Sequence, residues 1–138
     1  MRLLRVVDEE TGRKLYLLWS CPRYPVCSCV HSAHPDGRPM GTPANAATRR
    51  ARHQAHRVFD QLWQATDFGR LMTRDDAYRW LAGRFGVGDV HIGDMTQAEA
   101  EQTEAWANER IGELVGKREQ ARKQRKAKQR RKRRPPDC

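Results

Sequence analysis

The chain has 138 residues, and its Lys and Arg residues outnumber its acidic residues by ten. This length suffices for one modest hydrophobic core and is too short for two independent ones. No apolar stretch approaches the roughly 20 residues that span a bilayer, and the N-terminus lacks the pattern of a secretory signal, so we expect a cytoplasmic protein.

The N-terminal part of the chain predicts a small β-ribbon. Residues 2–7 and 13–19 are short and rich in β-formers, and the polar segment between them ends in a glycine that suits a turn. Residues 27–33 predict a third strand, which the turn sequence Pro35-Asp36-Gly37 closes.

Three helices are predicted after the ribbon, which makes the fold class α+β. A threonine-proline pair at 42–43 predicts the start of a helix that runs to about residue 64. Thr73 caps a second helix, which glycines at 86 and 88 end. The third begins at the capping-box sequence of residues 96–99.

The net charge is confined to the C-terminal end of the chain. Residues 1–116 carry 15 Arg and Lys against 15 acids, whereas residues 117–138 carry 12 against two. Apolar residues almost vanish after residue 116, so we expect a tail that is disordered when free. The predicted organisation is a β-ribbon over residues 1–40, a helical part over 41–116 packed on it as one domain, and a disordered polybasic tail over 117–138.

The polybasic tail indicates a polyanionic partner. A run of like charges repels itself and is relieved by a polyanion, whose condensed counterions it releases, so nucleic acid, DNA or RNA, is the first partner to consider. A second basic group lies on the predicted first helix, opposite its apolar stripe. The predicted nucleic-acid contacts are Arg49, Arg50, His53, Arg57, Lys123, Arg125, Lys126, Lys128, Arg130, Arg131, Lys132, Arg133 and Arg134.

Three of the four cysteines crowd into residues 21–29. In a reducing compartment this crowding indicates metal ligation better than a disulfide, and zinc takes four thiolate or imidazole ligands. The predicted zinc ligands are Cys21, Cys27, Cys29 and His34. His31 is an alternative fourth ligand, because it shares a strand side with Cys27 and Cys29, whereas His34 needs a bend in the chain. The other interpretation is that the cysteines are small buried hydrophobes.

The stretch from Trp19 to Cys27 resembles one half of the zinc-finger repeats of bacterial type I topoisomerases. Blocks within residues 34–42, 49–63, 77–82 and 91–95 resemble a small zinc-finger-containing family of unknown function found in bacteriophages and bacteria. This resemblance covers about residues 15–100 and implies a zinc-ribbon-like start and a phage accessory or regulatory protein, in the host cytoplasm if phage-encoded. Members of the family carry a second cysteine pair upstream, which residues 1–20 lack. Either Cys29 and a histidine substitute, or the turn is metal-free.

A histidine-carboxylate set offers an alternative function. His56 and Asp60 lie four residues apart on the predicted first helix, and His91 opens the sequence His-Ile-Gly-Asp. Such a set can bind a divalent metal, as a metal-dependent nuclease requires. No nucleophile motif, phosphate loop or paired acidic site accompanies it, so we expect no catalytic residues and no enzyme. A protein-protein interaction adaptor with a structural zinc is the further alternative to the expected zinc- and nucleic-acid-binding protein.

Overall fold

The computed structural model describes residues 1–67 and 69–133, except for the side chain of Leu15. Within these residues a three-stranded sheet is followed by three α-helices, as the predicted α+β class requires. In chain order the elements are β1 (Arg2–Val7), β2 (Lys14–Ser20), β3 (Val30–Ala33), α1 (Ala46–Asp60), α2 (Arg74–Phe85) and α3 (Gln97–Arg133), with a short 3-10 turn at Ile92–Asp94 before α3.

The sheet is antiparallel in the order β1-β2-β3, with β2 in the centre. Trp19 of β2 stands opposite Leu3 on one side and His31 on the other. Its indole nitrogen donates a 2.7 Å hydrogen bond to the carbonyl of Gly37, which fixes the loop that follows β3. The third strand is shorter than predicted, because residues 27–29 belong to the turn that joins β2 to β3.

Helix α1 begins three residues later than predicted. Asn45 is its N-cap and accepts a 2.9 Å hydrogen bond from the amide of Thr48. Thr42, the predicted cap, instead donates its hydroxyl to a carboxylate oxygen of Asp94 at 2.8 Å. The helix ends at Asp60, and residues 61–63 form turns rather than a continuation to Gln64. The threonine-proline pair therefore fastens a loop to the turn before α3 instead of starting a helix.

The predicted starts of α2 and α3 are confirmed. The hydroxyl of Thr73 accepts from the amide of Asp76 at 3.1 Å, and Gly86 ends α2 in the left-handed region with φ 69°. At α3, the amide of Thr96 donates to the carboxylate of Glu99 at 2.8 Å and the amide of Glu99 donates to the hydroxyl of Thr96 at 3.2 Å. This reciprocal pair is the predicted capping box.

The hydrophobic core lies between α1, α2 and α3. Helix α1 packs against α3 through alanines that are fully buried, and small side chains let the two helices approach closely. The ring of Phe59 meets that of Tyr78 edge to face, with centroids 4.8 Å apart. The buried members of the cluster are Ala55, Val58, Phe59, Leu62, Ala77, Leu81, Ile92, Met95, Ala100 and Ala107.

The tail differs from the predicted disordered segment. Helix α3 continues without interruption to Arg133, and every residue from Lys117 to Arg133 is exposed. Lys, Arg, Gln and Ala are strong helix formers, and extending an existing helix avoids the unfavourable nucleation step. Residues 134–138, including Arg134, lie outside the described part of the chain. None of the helices in that part is long and apolar enough to cross a bilayer.

Candidate metal site and nucleic-acid interface

The three clustered cysteines lie at one end of the sheet. Cys21 directly follows β2 and Cys29 directly precedes β3, and the amide of Cys21 donates a 2.9 Å hydrogen bond to the carbonyl of Cys29. Between them the amide of Tyr24 donates to the carbonyl of Cys21 at 2.9 Å, and that of Cys27 donates to the carbonyl of Arg23 at 3.0 Å. We call residues 21–29 the cysteine knuckle. Its three thiols are free and half-buried.

The structure does not bring His34 to the knuckle. His34 follows β3 at the opposite end from Cys29, and five residues of extended chain place their Cα atoms about 16 Å apart. The backbone of His34 is held in a loop by hydrogen bonds with Arg38 and Gly37, both 2.8 Å long. Within residues 1–67 and 69–133 no three Cys, His, Asp or Glu side chains stand close enough to hold a metal ion. The predicted set of four ligands is therefore not assembled.

The chemistry of the knuckle nevertheless suits a soft metal. Three cysteine sulfurs at one end of a sheet are the donors that zinc prefers, and no disulfide joins them. Closely spaced, free cysteines in such a knuckle indicate a metal site. The described residues do not, however, group three such donors around one point.

The predicted basic face of α1 is a real surface feature. Arg49, Arg50, His53 and Arg57 line one shallow groove along the helix. Arg49 is half-buried, and its guanidinium donates 2.7 Å hydrogen bonds to the carbonyls of Ser28 and Ala44. It therefore fastens the cysteine knuckle to α1, while the exposed Arg50 and Arg57 remain open to solvent.

The basic end of α3, residues 117–133, stands clear of the core. It carries eleven cations and one acid, whereas residues 1–116 are balanced at 15 against 15. Arg118 donates to the carbonyl of Arg70, which contacts the helix where it leaves the core. The ion pairs found in the described part of the chain include none from Arg122 to Arg133. All the predicted tail contacts from Lys123 to Arg133 are thus exposed.

Four histidines meet in a cleft that the sequence did not predict as a unit. Its lining includes His31 from β3, His53 and His56 from α1, and His91 from the turn before α3. Burial is the main cause that lowers the pKa of His56, and Asp60, 3.9 Å from its Nδ1, partly opposes it. Burial likewise lowers the pKa of His31. Asp60 does not line the cleft, so the nuclease set of His56, Asp60 and His91 is brought together only in part.

Arg52 is a buried residue at this cleft that the sequence did not predict as part of a site. Its side chain is 7% exposed, and its guanidinium donates to the carbonyl of Met95 at 2.7 Å and to that of Thr42 at 2.5 Å. Burial lowers the pKa of Arg52, and the more distant charges of Asp94 and Glu99 oppose this effect. Its burial could have been predicted from its position in the sequence, because Arg52 lies on the apolar stripe of α1, three residues before Ala55.

The chain thus combines a three-stranded ribbon that ends in a cysteine knuckle with three helices. A comparison with family models matches residues 5–109 to the zinc-finger-containing domain, and the chain belongs to that family. The match includes the knuckle, the histidine cleft and the first third of α3, and it ends before the basic end. Comparisons with curated proteins and with solved structures found no match.

Proposed function

We propose that this protein binds nucleic acid without acting as an enzyme. The basic end of α3 supplies the phosphate contacts, and zinc at the cysteine knuckle stabilises the β-ribbon. The knuckle's place in a zinc-finger-containing domain supports the zinc. The resemblance to phage and bacterial sequences extends the proposal to an accessory or regulatory role in a phage-infected cell.

The observation that carries the proposal is the exposed charge of residues 117–133, in which no cation from Arg122 to Arg133 forms an ion pair within the described part of the chain. A net charge of ten on this segment matches that of the whole chain, because the remainder is neutral. Self-repulsion within the segment is relieved when phosphates replace the solvent around it, and the released counterions supply the free energy. A helix that carries cations and no apolar face gains little free energy from packing on a protein core, and more from binding a polyanion.

The helical geometry limits how many cations act together. Successive residues of an α-helix are turned by about 100°, so the eleven cations surround the helix rather than forming one face. About half of them can face a nucleic acid at once. Six contacts give a slope of about −5 in a plot of log K against log salt, and a loss of about a thousandfold in affinity between 50 and 200 mM salt.

Cys21, Cys27 and Cys29 would hold the zinc as thiolates. Zinc when bound supplies a structural cross-link and no chemistry on a substrate. The knuckle has no hydrophobic core of its own, since Val26 at its tip is 93% exposed. Arg49 of α1 donates a hydrogen bond to the carbonyl of Ser28, so a knuckle that zinc holds in place would also be held against α1.

The test compares two variants of equal charge. One replaces five cations of the basic end by glutamine, and the other replaces five exposed cations of the β-ribbon. The first set is Lys123, Arg125, Lys126, Lys128 and Arg130, and the second is Arg2, Arg5, Arg13, Lys14 and Arg23. Fluorescence anisotropy with duplex DNA and with single-stranded RNA gives affinity against salt for each.

We expect the tail variant to lose most of its salt slope, because its phosphate contacts are gone. The ribbon variant should keep nearly all of it. Equal losses would mean that net charge alone matters, and an unchanged slope in the tail variant would overturn the proposal.

A further inference from the structure

A cleft of about 460 Å³ opens where β3, α1 and the turn before α3 meet. Its ionisable lining consists of arginines and histidines, and no carboxylate is among the lining residues. An apolar wall stands beside these groups. The ionisable members are His31, Arg49, Arg52, His53, His56 and His91, Ser32 is a neutral polar member, and the apolar members are Leu18, Val30 and Met40.

The guanidinium at the base of this cleft forms no direct ion pair with the protein's described residues. Arg52 is buried and its hydrogen bonds go to the carbonyls of Met95 and Thr42. The ion pairs found among residues 1–67 and 69–133 involve neither Arg52 nor Arg49, and the charges of Asp94 and Glu99 act on Arg52 only from a distance. A buried charge that is compensated only in part is costly, so an anion that enters the cleft gains more there than at an exposed arginine.

The imidazoles add further hydrogen-bonding nitrogens to the cleft. The Nε2 atom of His31 is buried without any hydrogen-bond partner. His53 and His91 are exposed at the rim, and Nδ1 of His91 lies 3.6 Å from a carboxylate oxygen of Asp94. A neutral imidazole donates from one nitrogen, and the charged guanidiniums beside it form the strong hydrogen bonds to phosphate oxygens.

We propose that this cleft binds a nucleotide, with its phosphate among the imidazoles and guanidiniums and its base against the apolar wall. The apolar wall favours a nucleotide over an inorganic anion, because a base buries surface that phosphate alone cannot. The absence of a metal-competent cluster among the described residues disfavours a metal in the same place. The site lies in the neutral body and does not depend on the basic end of α3.

The test is isothermal titration of the full chain with adenosine monophosphate at 150 mM salt. Replacing both His53 and His91 by alanine should weaken binding about tenfold or more, because donors to a charged phosphate are lost. His34→Ala is the matched control, since His34 is exposed and does not line the cleft. The five-glutamine variant of the basic end should bind the mononucleotide with unchanged affinity.

Inorganic phosphate and a six-residue oligothymidylate complete the experiment. Phosphate should bind about tenfold more weakly than the mononucleotide, because it lacks a base to bury. A further outcome is that the oligonucleotide binds in a way that depends on His53 and His91 while the mononucleotide does not bind. That result would support a nucleotide within a single-stranded nucleic acid as the ligand of the cleft. Equal affinity for phosphate and mononucleotide, or binding that only the basic-end variant abolishes, overturns the proposal.

Discussion

The Nε atom of Arg52 in α1 donates a 2.7 Å hydrogen bond to the backbone carbonyl of Met95, 43 residues further along the chain. A second donor of the same guanidinium reaches the carbonyl of Thr42. One buried side chain therefore joins α1 to the loop after the sheet and to the turn before α3. These connections hold the loop after the sheet and the turn before α3 against α1.

Replacing Arg52 by alanine should destabilise the protein by about 2–4 kcal/mol, because two carbonyls lose their partner in a buried place. Urea unfolding followed by tryptophan fluorescence measures the change. Arg50→Ala is the control, since Arg50 is exposed on the same helix and should change stability by less than about 0.5 kcal/mol. Equal effects of the two substitutions would contradict the role of Arg52.

Gly41 stands where two backbone segments touch. A Cβ atom at this position would lie 2.4 Å from the carbonyl oxygen of Gly93 and 2.8 Å from Nε2 of His31. Gly41→Ala should therefore cost about 1–3 kcal/mol, as overpacking does. Gly112 in α3 has open space around it, so Gly112→Ala should stabilise the protein by about 0.5–1 kcal/mol. Thermal unfolding of the pair checks this prediction, which fails if both changes have the same sign.

Zinc removal should loosen the cysteine knuckle. We expect one zinc per chain by elemental analysis, and its loss in Cys21→Ser or Cys27→Ser, since a serine hydroxyl is a poor zinc ligand. The midpoint of thermal unfolding should fall in both variants and in chelator-treated protein. His34→Ala should keep its zinc, because His34 lies at the other end of β3. Zinc that survives both serine substitutions would place the metal elsewhere.

His56 should make stability depend on pH. Its pKa is lowered in the folded protein, chiefly by burial, so the unfolded chain takes up a proton more readily. Stability should therefore fall as the pH drops below the ordinary histidine value of 6.5. The titratable groups that face His56 are His53 and Asp60 on α1, Asp89 and His91 before α3, and Arg74, Asp75, Tyr78 and Arg79 on α2.

The measurement for His56 is the urea midpoint at pH 7.5 and at pH 5.5. His56→Gln should lose less stability between these values than the wild type does, because glutamine does not titrate. An identical loss in both proteins would show that other groups cause the pH dependence. His34→Gln serves as the comparison, since His34 is exposed in a loop.

A proline at Ala127 should break the basic end of α3 without weakening the core. Proline removes an amide donor and clashes with the preceding turn, so the circular-dichroism signal at 222 nm should fall. Residues 117–133 are exposed, so the free energy of unfolding should change by less than about 0.5 kcal/mol. A large loss of stability would mean that this segment packs on the body. Ala127→Gln, which keeps the helix, is the control.

The sequence predicted those parts of the fold that local chemistry determines. The hairpin, the cap at Thr73 and the capping box at Thr96 depend on residues a few positions apart, and all three are confirmed. The start of α1 was misplaced because Thr42 is a good cap by local rules but has a partner, Asp94, 52 residues away. A contact at that distance leaves no local pattern.

The candidate sites divide in the same way. The clustered cysteines and the basic end of α3 are contiguous in sequence, so their composition was sufficient to identify them. The cleft needs side chains from several separate elements, and only the folded chain brings His31 and His56 into one lining. The helix at residues 117–133 was not predicted, because the loss of apolar residues after residue 116 indicates disorder, whereas an existing helix can continue without contacts to a core.

The continuity of α3 has a mechanical consequence. The same helix contributes Ala100 and Ala107 to the core and carries the cations up to Arg133, with no loop between them. A polyanion that aligns the outer part of this rod also sets the orientation of the body, and so the direction in which the cysteine knuckle and the histidine cleft point. Because α3 is one continuous helix, a rotation of its outer part also rotates the part that is packed in the core.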